Sequence, residues 1–542
     1  MRKLSFIPCL TVIFAACLLM AGCSKEQVSQ KREVSLRIIF PPELIPYVAF
    51  LQQKLLAQDS PTTVDIKLEQ SSEYSVNAAN KISSGELKTE AWISPMSALV
   101  DYSNSKIINL GARQVSCQKI FTTPTVIAAQ DTFIENFKDK SHFFSWHDFM
   151  DLTSNVGSNG QNYLISYAMG MPETTASGLP ALLQLLHLAK PQKMQTLTPA
   201  GLNDDSLKAH FRKYLNTVAY YAPREDNLFA KTAAIQDHLF FALSTEQQLI
   251  RYNLTKSPDQ KMLYALYPTE GSLWLDYSLC LSDADWVSPL QRSAFKELSD
   301  FIAADKHQAD IIRHGFRSVK LETKASAYDS FVNAGSIAAL SDSSKVVVEN
   351  ALLKYVLQNQ SSMKKPFAAI YLLDTSGSTE NGSILLAGKR MMRALLSSNN
   401  PQDTSSLMTF SEDVKLISKF SNDHSEKIKA LDPLQGTGGS AFYDALAESI
   451  SKISDEKLQT YRKIIYVFTD GNDNTSKMSL GTLIDLIRET RRHHDISLEI
   501  VAIQGSEDLS DIDKIAKAFN GNLYKTTLEE IDRIVADLSG AY

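Results

Sequence analysis

Five oxygen-bearing side chains near the carboxy terminus carry the chemistry this sequence offers most plainly. Asp374, Ser376 and Ser378 alternate directly after the apolar run FAAIYLLD. A tight loop closing a buried strand aims three alternating oxygens at one point. A second apolar run, KIIYVFTD, ends on Asp470 and predicts a neighbouring loop at the same edge of a sheet. Gly438-Gly439-Ser440 opens the helix that holds Phe442, Tyr443 and Asp444. Its glycines let backbone approach closely, and Ser440 adds a hydroxyl. The set contains oxygen alone, with neither His nor Cys. Hard oxygen ligands with few carboxylates suit Mg2+, with Mn2+ or Ca2+ as alternatives.

Two other patterns in the same region are lookalikes. Asp374-Thr375-Ser376-Gly377 is one residue too long for the Asp-Thr-Gly of aspartic proteases, and it has no second copy. Asp470-x-Asn472-x-Asn474 begins like an EF-hand loop, but Thr475 and Gly481 stand where that loop needs Gly and Glu. Asp473 is read as supporting the site or facing solvent. Arg491-Arg492-His493-His494 ends a helix and reads as a solvated, dipole-favoured terminus.

The elements that position the oxygens alternate regularly. FAAIYLLD, TSSLMTFS, DVKLISKF, KIIYVFTDG, ISLEIVAIQ and NLYKTT read as strands. Between and after them, SILLAGKRMMRALLSS, SAFYDALAESISKI, IDLIRETRRHH, DLSDIDKIAKAFNG and LEEIDRIVADLS read as helices. This order makes a doubly wound α/β sheet over 363–542. Sites on such a sheet gather beyond the carboxyl ends of its strands, where Asp374 and Asp470 fall.

Three loops here resemble the von Willebrand factor type A (VWA) family and its metal-ion-dependent adhesion site. The family's Asp-x-Ser-x-Ser falls on Asp374, Ser376 and Ser378. Its Gly-Gly-Thr falls on Gly438-Gly439-Ser440, and its Thr-Asp-Gly on Thr469-Asp470-Gly471. The resemblance implies that Ser376, Ser378 and the Ser440 hydroxyl hold a divalent metal directly, while Asp374 and Asp470 act largely through water. It further implies a protein partner whose acidic residue completes the metal's coordination. Serine at 440 departs from the usual threonine, keeping the hydroxyl and losing a rotamer-fixing methyl. Thr437 is the other hydroxyl within reach, but the register with Tyr443-Asp444 favours Ser440.

Upstream, Val34 begins a β-α-β-α-β series: SLRIIF, a helix from PPELIPYVAFLQQKLLAQ, TVDIKLEQ and then EAWISP. The segments KTEAWISPMSALV, IFTTPTVIAAQ, SWHDFMDL, MGMPETTASGLPALLQLLHLA, LYPTEGSLWLDYSLCL and FIAADKHQADIIRHGFRS follow in the order of type II periplasmic solute-binding proteins, which 34–320 resembles. The resemblance implies two α/β lobes joined by crossover strands near 121–127 and 266–273. Lobe one would take 34–120 and 274–320, and lobe two 128–265. Cleft candidates are Ser94, Thr123, Thr175, Ser177 and Thr245, facing a small solute that includes the anionic class. The hydroxyls before LPALLQLLHLA make an anion-ready helix start, though ordinary capping accounts for each equally. Residues 321–362 read as a linker with a helix in KVVVENALLKYVLQNQ.

Cys117 and Cys280 flank the two implied crossover strands. They are expected either to form a disulfide or to stand as buried free thiols. The remaining cysteines belong to the start of the chain. Arg2 and Lys3, the apolar run Leu4 to Met20, and Leu19-Met20-Ala21-Gly22-Cys23 resemble a bacterial lipoprotein signal. Residues 1–22 would then be removed, Cys23 acylated, and 23–33 left as a tether. Acyl chains contribute about 0.8 kcal/mol per buried methylene, enough together to hold the protein at a membrane. The mature chain is expected to be exported and to face the periplasm or cell exterior. Ser24 favours the outer membrane where there is one.

At 542 residues the chain is long for one core, and a prior of roughly 150 residues per domain suggests three or four lobes. A formal charge of −6 excludes the basic field that nucleic acid requires. With no hydrolase elbow, and no His near the serine motifs, no catalytic role is expected. The function expected is metal-dependent binding of a protein by an anchored envelope protein. The alternative is a receptor for solute transport or sensing, with the VWA domain as a coupling module.

Overall fold

A computed structural model describes residues 31–57, 60–108, 111–131, 142–146, 166–172, 174–190, 201–222, 224–234, 240–320, 325–340, 345–346, 348, 350–363, 365–380, 383–471, 473–491, 493–494, 496–503, 509–519 and 521–539. The leader, Cys23 and most of the tether lie outside the described residues. So do most of SWHDFMDL and Asn472. Among the described residues no helix is long and apolar enough to cross a membrane.

The amino-terminal module is built on one long mixed sheet. Strands β1 (Glu33–Phe40), β2 (Asp65–Ser72) and β3 (Ala91–Ser94) are parallel neighbours in the order β2-β1-β3. Strand β4 (Arg113–Gln130) runs through both lobes. Its first half pairs with the later strand β10 (Ser272–Asp283), and β10 in turn pairs with β3. Beyond β4 the second lobe continues through β8 (Phe240–Thr245), β6 (Ser166–Gly170) and β7 (Val218–Ala222). Strand β9 (Leu263–Pro268) pairs with the far half of β4 and leads through Thr269–Gly271 into β10. The two lobes are thus joined by β4 and by the β9–β10 segment. The pairs β5 (Phe143–Phe144), β11 (Arg317–Ser318) and β12 (Lys345–Val346) attach to β9, β4 and β10.

Cys117 and Cys280 lie on the paired strands β4 and β10 and are joined by a disulfide. The strand bulges beside it, and Ser116 takes a φ of 50°. The helix expected in the linker spans Asn350–Met363. It packs against the helix Ser97–Ser105 of lobe one and the helix Gly178–Leu188 of lobe two. The linker therefore bridges both lobes.

The second unit is a six-stranded sheet in the order β15-β14-β13-β16-β17-β18. Its strands are β13 (Phe367–Asp374), β14 (Thr404–Phe410), β15 (Val414–Ser421), β16 (Arg462–Thr469), β17 (Ile496–Ile503) and β18 (Asn522–Thr526). All pairings are parallel except β14 with β15. Every residue of β13, β14 and β16 is buried, because helices cover both faces; this is why β13 and most of β16 read as near-continuous apolar runs, while β14 buries Thr404, Ser405, Ser406 and Thr409 as well. Edge strand β15 instead exposes Lys415 and Lys419, charges that discourage pairing with another chain.

One apolar core extends from the first module into one face of this sheet, and a separate core fills the other face. At the junction Asn522 donates to the Tyr220 hydroxyl at 3.4 Å, and the Arg462 guanidinium lies 4.8 Å from the Tyr221 ring centre. Tyr220 and Tyr221 belong to β7, the outer strand of lobe two.

Candidate metal centre

Asp374 is the last residue of β13, and Thr469 the last of its parallel neighbour β16. Their side chains meet, with the Thr469 hydroxyl donating to Asp374 Oδ2 at 2.6 Å. Asp374 Oδ1 accepts the Ser376 N–H at 2.9 Å, which curls the loop back on the strand end. The Ser376 and Ser378 hydroxyls lie 3.1 Å apart. Ser378 also donates to Asp470 Oδ1 at 3.1 Å. Asp374, Ser376, Ser378 and Asp470 are therefore brought into one chain of contacts.

The second loop folds onto the first through backbone. Gly377 N–H donates to Gly438 O at 2.9 Å, and Thr437 N–H to Thr375 O at 2.9 Å. Gly438 has a φ of 78°, and a Cβ there would come 2.8 Å from the Glu412 side chain. At Gly439 a Cβ would meet Thr475 at 2.3 Å. Both positions require glycine, one for its conformation and one for space. Thr437 is exposed, whereas Ser440 is buried and its hydroxyl has no hydrogen-bond partner. A buried hydroxyl without a partner is costly, and this one suits an electropositive ligand.

Asn474 and Ser476, which the sequence left without a role, hold the loops together with Asp473 and Asp444. Asn474 accepts the Ser440 N–H at 2.7 Å, and its own N–H donates to Ser440 O at 2.9 Å. The helix Phe442–Ile453 receives no cap from its own Ala441. Instead Asp473 accepts the Tyr443 N–H at 2.9 Å, and Ser476 Oγ accepts the Asp444 N–H at 3.0 Å. Asp444 completes the exchange by accepting from the N–H groups of Lys477 and Met478 at 2.9 and 3.0 Å. Asp473 thus supports the site. Capping by a loop thirty residues away leaves no local signature of the Ser-x-x-Glu kind.

Burial pushes the Asp374 carboxyl up to about 6, although hydrogen bonds from Ser376 and Thr469 oppose the shift. Among the described residues, Asp374 and Asp470 are the carboxylates in this chain of contacts. Among the described residues no group of three or more His, Cys, Asp or Glu stands ready for a metal. The donor set is instead mainly hydroxyl, which matches a hard cation that keeps part of its water shell.

In the first module the five cleft candidates are occupied mostly by the fold itself. Ser94 donates to Met96 O at 2.9 Å, and Thr123 accepts the Gln247 N–H at 3.1 Å. Thr175 donates to Met171 O at 2.8 Å and accepts the Gly178 N–H at 3.0 Å. Thr245 caps its helix by accepting the Gln248 N–H at 3.4 Å. Ser177 is fully buried, and its N–H donates to Glu225 Oε1 at 2.7 Å. Its hydroxyl lies beside the same carboxylate without closing a bond of ordinary geometry.

Comparison with known proteins finds a family model for part of the second unit and distant structural likenesses for both units. The family model of the von Willebrand factor type A domain matches residues 369–472. No curated protein matches the chain. A periplasmic thiamin binding protein aligns over 61% of this chain and 94% of its own, at 14% identity and a TM-score of 0.41. The sulfate-binding protein SubI from Mycobacterium tuberculosis H37Rv aligns over 61% and 99%, at 11% identity and a TM-score of 0.38. A von Willebrand factor type A protein from Catenulispora acidiphila aligns over 33% of this chain, at 14% identity and a TM-score of 0.30. That alignment spans 42% of the Catenulispora chain, less than half its length.

Proposed function

We propose, from the premise that residues 369–472 carry a von Willebrand factor type A domain, that this is a non-catalytic, exported and lipid-anchored protein that grips a protein partner through a divalent metal. Ser376, Ser378 and Ser440 would hold the ion, most simply Mg2+, with Asp374 and Asp470 acting through water. The observation that carries the reading is the buried, unpartnered hydroxyl of Ser440, in a loop whose Gly438 accepts from Gly377 of the loop where Ser376, Ser378 and Asp470 meet. When bound, the ion supplies a positive centre that an Asp or Glu of the partner completes. Such a charged contact gains strength once water is excluded.

Neighbouring residues support the five in this scheme. Thr469 and the Ser376 N–H orient Asp374, and Asn474 fixes the turn that presents Ser440. The two-lobed module has the fold of solute-binding proteins, and we read it as a small-molecule receptor on the same anchored chain. Its linker helix touches both lobes before entering the VWA domain, which supports coupling between them.

A pull-down from cell-envelope extracts, run with Mg2+, with chelator, and with Asp374→Ala in Mg2+, tests the adhesion reading. Partners captured only by the parent protein in Mg2+ are expected. Capture of the same partners in all three conditions would refute it.

A further inference from the structure

Residues 325–340 follow the two-lobed module in the chain, yet they fold back across the boundary between its lobes. Tyr328, Phe331 and Ala334 pack with Ile312 of lobe one and Ile250 of lobe two in one small apolar cluster. On the lobe-one side the Ser318 N–H donates to the Tyr328 hydroxyl at 3.1 Å. On the lobe-two side Asn253 Nδ2 donates to Ala334 O at 2.8 Å, and the Ala265 N–H to Gly335 O at 2.8 Å. One short segment therefore grips both lobes.

The grip closes on a buried ion pair. Glu246 opens the helix Glu246–Thr255 of lobe two, and Arg317 lies on β11 of lobe one; both are buried. Arg317 Nε and Nη2 each donate to the Glu246 carboxylate at 2.7 Å. The same guanidinium donates to the segment, from Nη2 to Ile337 O at 2.7 Å and from Nη1 to Ala338 O at 3.0 Å. Ser336 Oγ donates to Glu246 Oε1 at 2.6 Å, and the Tyr267 hydroxyl of β9 donates to that oxygen too. The Tyr328 and Phe331 rings cover the guanidinium, with their centres 5.0 and 5.3 Å away. Rotating one lobe about the crossover strands would part Arg317 from Glu246 while the rings still cover it. A charge stranded in this way is costly.

The lobes also meet directly. Gln247 Nε2 donates to His314 O at 3.3 Å, beside a cavity of about 190 Å3 lined by Glu43 and Tyr47 of lobe one and Gln247 and Arg251 of lobe two. The hydroxyls of Ser94, Thr123, Thr175 and Thr245 are bonded within the fold. Closure needs no solute to satisfy them.

We propose that residues 325–340 form a strap that holds the two lobes together in the absence of any solute, so that opening requires release of the strap. The proposal stands on the fold of the first module and goes beyond reading that module as a receptor. It places control of the lobes on the segment that leads through the helix Asn350–Met363 to the VWA domain.

Pulsed electron–electron resonance on the full chain, without added solute, tests it. Ketone-linked nitroxides on p-acetylphenylalanine would replace the exposed Lys67 of lobe one and Lys213 of lobe two, leaving every cysteine untouched. The parent is expected to give a single narrow distance distribution. Tyr328→Ser with Phe331→Ser removes the apolar anchors of the strap and keeps Glu246 and Arg317, and it should add a second, longer population. Val332→Ser, at an exposed position of the same segment, should not. Two populations in the parent, or a single unchanged one in the double variant, would overturn the proposal. If the double variant does not fold, Phe331→Ala alone decides by the same two outcomes.

Discussion

Thr469 and Asp374 end adjacent parallel strands, and the 2.6 Å hydrogen bond between their side chains ties the first and third loops of the candidate metal centre together. A carboxylate this deeply buried stays ionised only with help. The threonine hydroxyl and the Ser376 N–H supply part of that help, and a bound cation would supply the rest.

The pH dependence at Asp374 follows with a definite sign. Its carboxyl sits near 6 in the folded protein against an ordinary 3.8, so the native state binds more protons than the unfolded chain between about 4 and 6. Stability then falls as pH rises through that window. Two units correspond to a penalty on the order of 2–3 kcal/mol above pH 6. Asp374→Asn is expected to raise the melting temperature of the metal-free protein at pH 7.5 and to abolish its rise with Mg2+. An unchanged Mg2+ response in that variant would remove Asp374 from the site.

Ser440 offers a sharper separation of folding from binding. Removing a buried hydroxyl that has no partner relieves a desolvation cost, so Ser440→Ala should leave metal-free stability equal or higher by about 1 kcal/mol. The same change should lower Mg2+ affinity at least tenfold, measured by calorimetry. Ser440→Thr should retain the affinity. Equal affinity in parent and alanine proteins would assign the third hydroxyl elsewhere.

The disulfide between Cys117 and Cys280 closes a loop with a sequence separation of 163. Crosslinks of this kind contribute typically about 2–4 kcal/mol, chiefly by restricting the unfolded chain. The double change Cys117→Ser with Cys280→Ser is expected to lower denaturant stability by that amount. A reductant should destabilise the parent protein and leave the double variant unaffected.

Glu43 gives the first module its own pH signature. Its folded value near 7 lies above the ordinary 4.5 of a glutamate, so its contribution to stability is lost as pH rises from about 4.5 through 7. Glu43→Gln should flatten the decline in melting temperature between pH 5 and 8. Parallel profiles for parent and variant would show that Glu43 is not the group being titrated.

Much of the second unit was legible because its signals are local. FAAIYLLD and KIIYVFTD are buried on both faces, so they are apolar throughout, and the polar residue that ends each one marks the loop edge. Ser440 could be preferred over Thr437 from its distance to Tyr443-Asp444, and the structure exposes Thr437 while burying Ser440. In the first module the hydroxyls of Ser94, Thr123, Thr175 and Thr245 were visible as candidates. What they bond to was not, since each partner is set by how a turn closes or how two elements meet.

By itself, then, the sequence determined the strands of the second unit and most of its helices, though not His424–Leu431, together with three loops, two at strand ends and one opening a helix, and an all-oxygen donor set. These follow from periodicity and from residues close together in the chain. Tertiary structure alone decided that Asp473 and Ser476 cap the helix of Tyr443, and that Thr469 steadies Asp374. It alone set Glu43 beside Tyr277 and, across the lobes, Gln247 in the same cavity wall. Whether a polar atom is satisfied depends on everything packed around it, and at those positions the neighbours come from tens to hundreds of residues away.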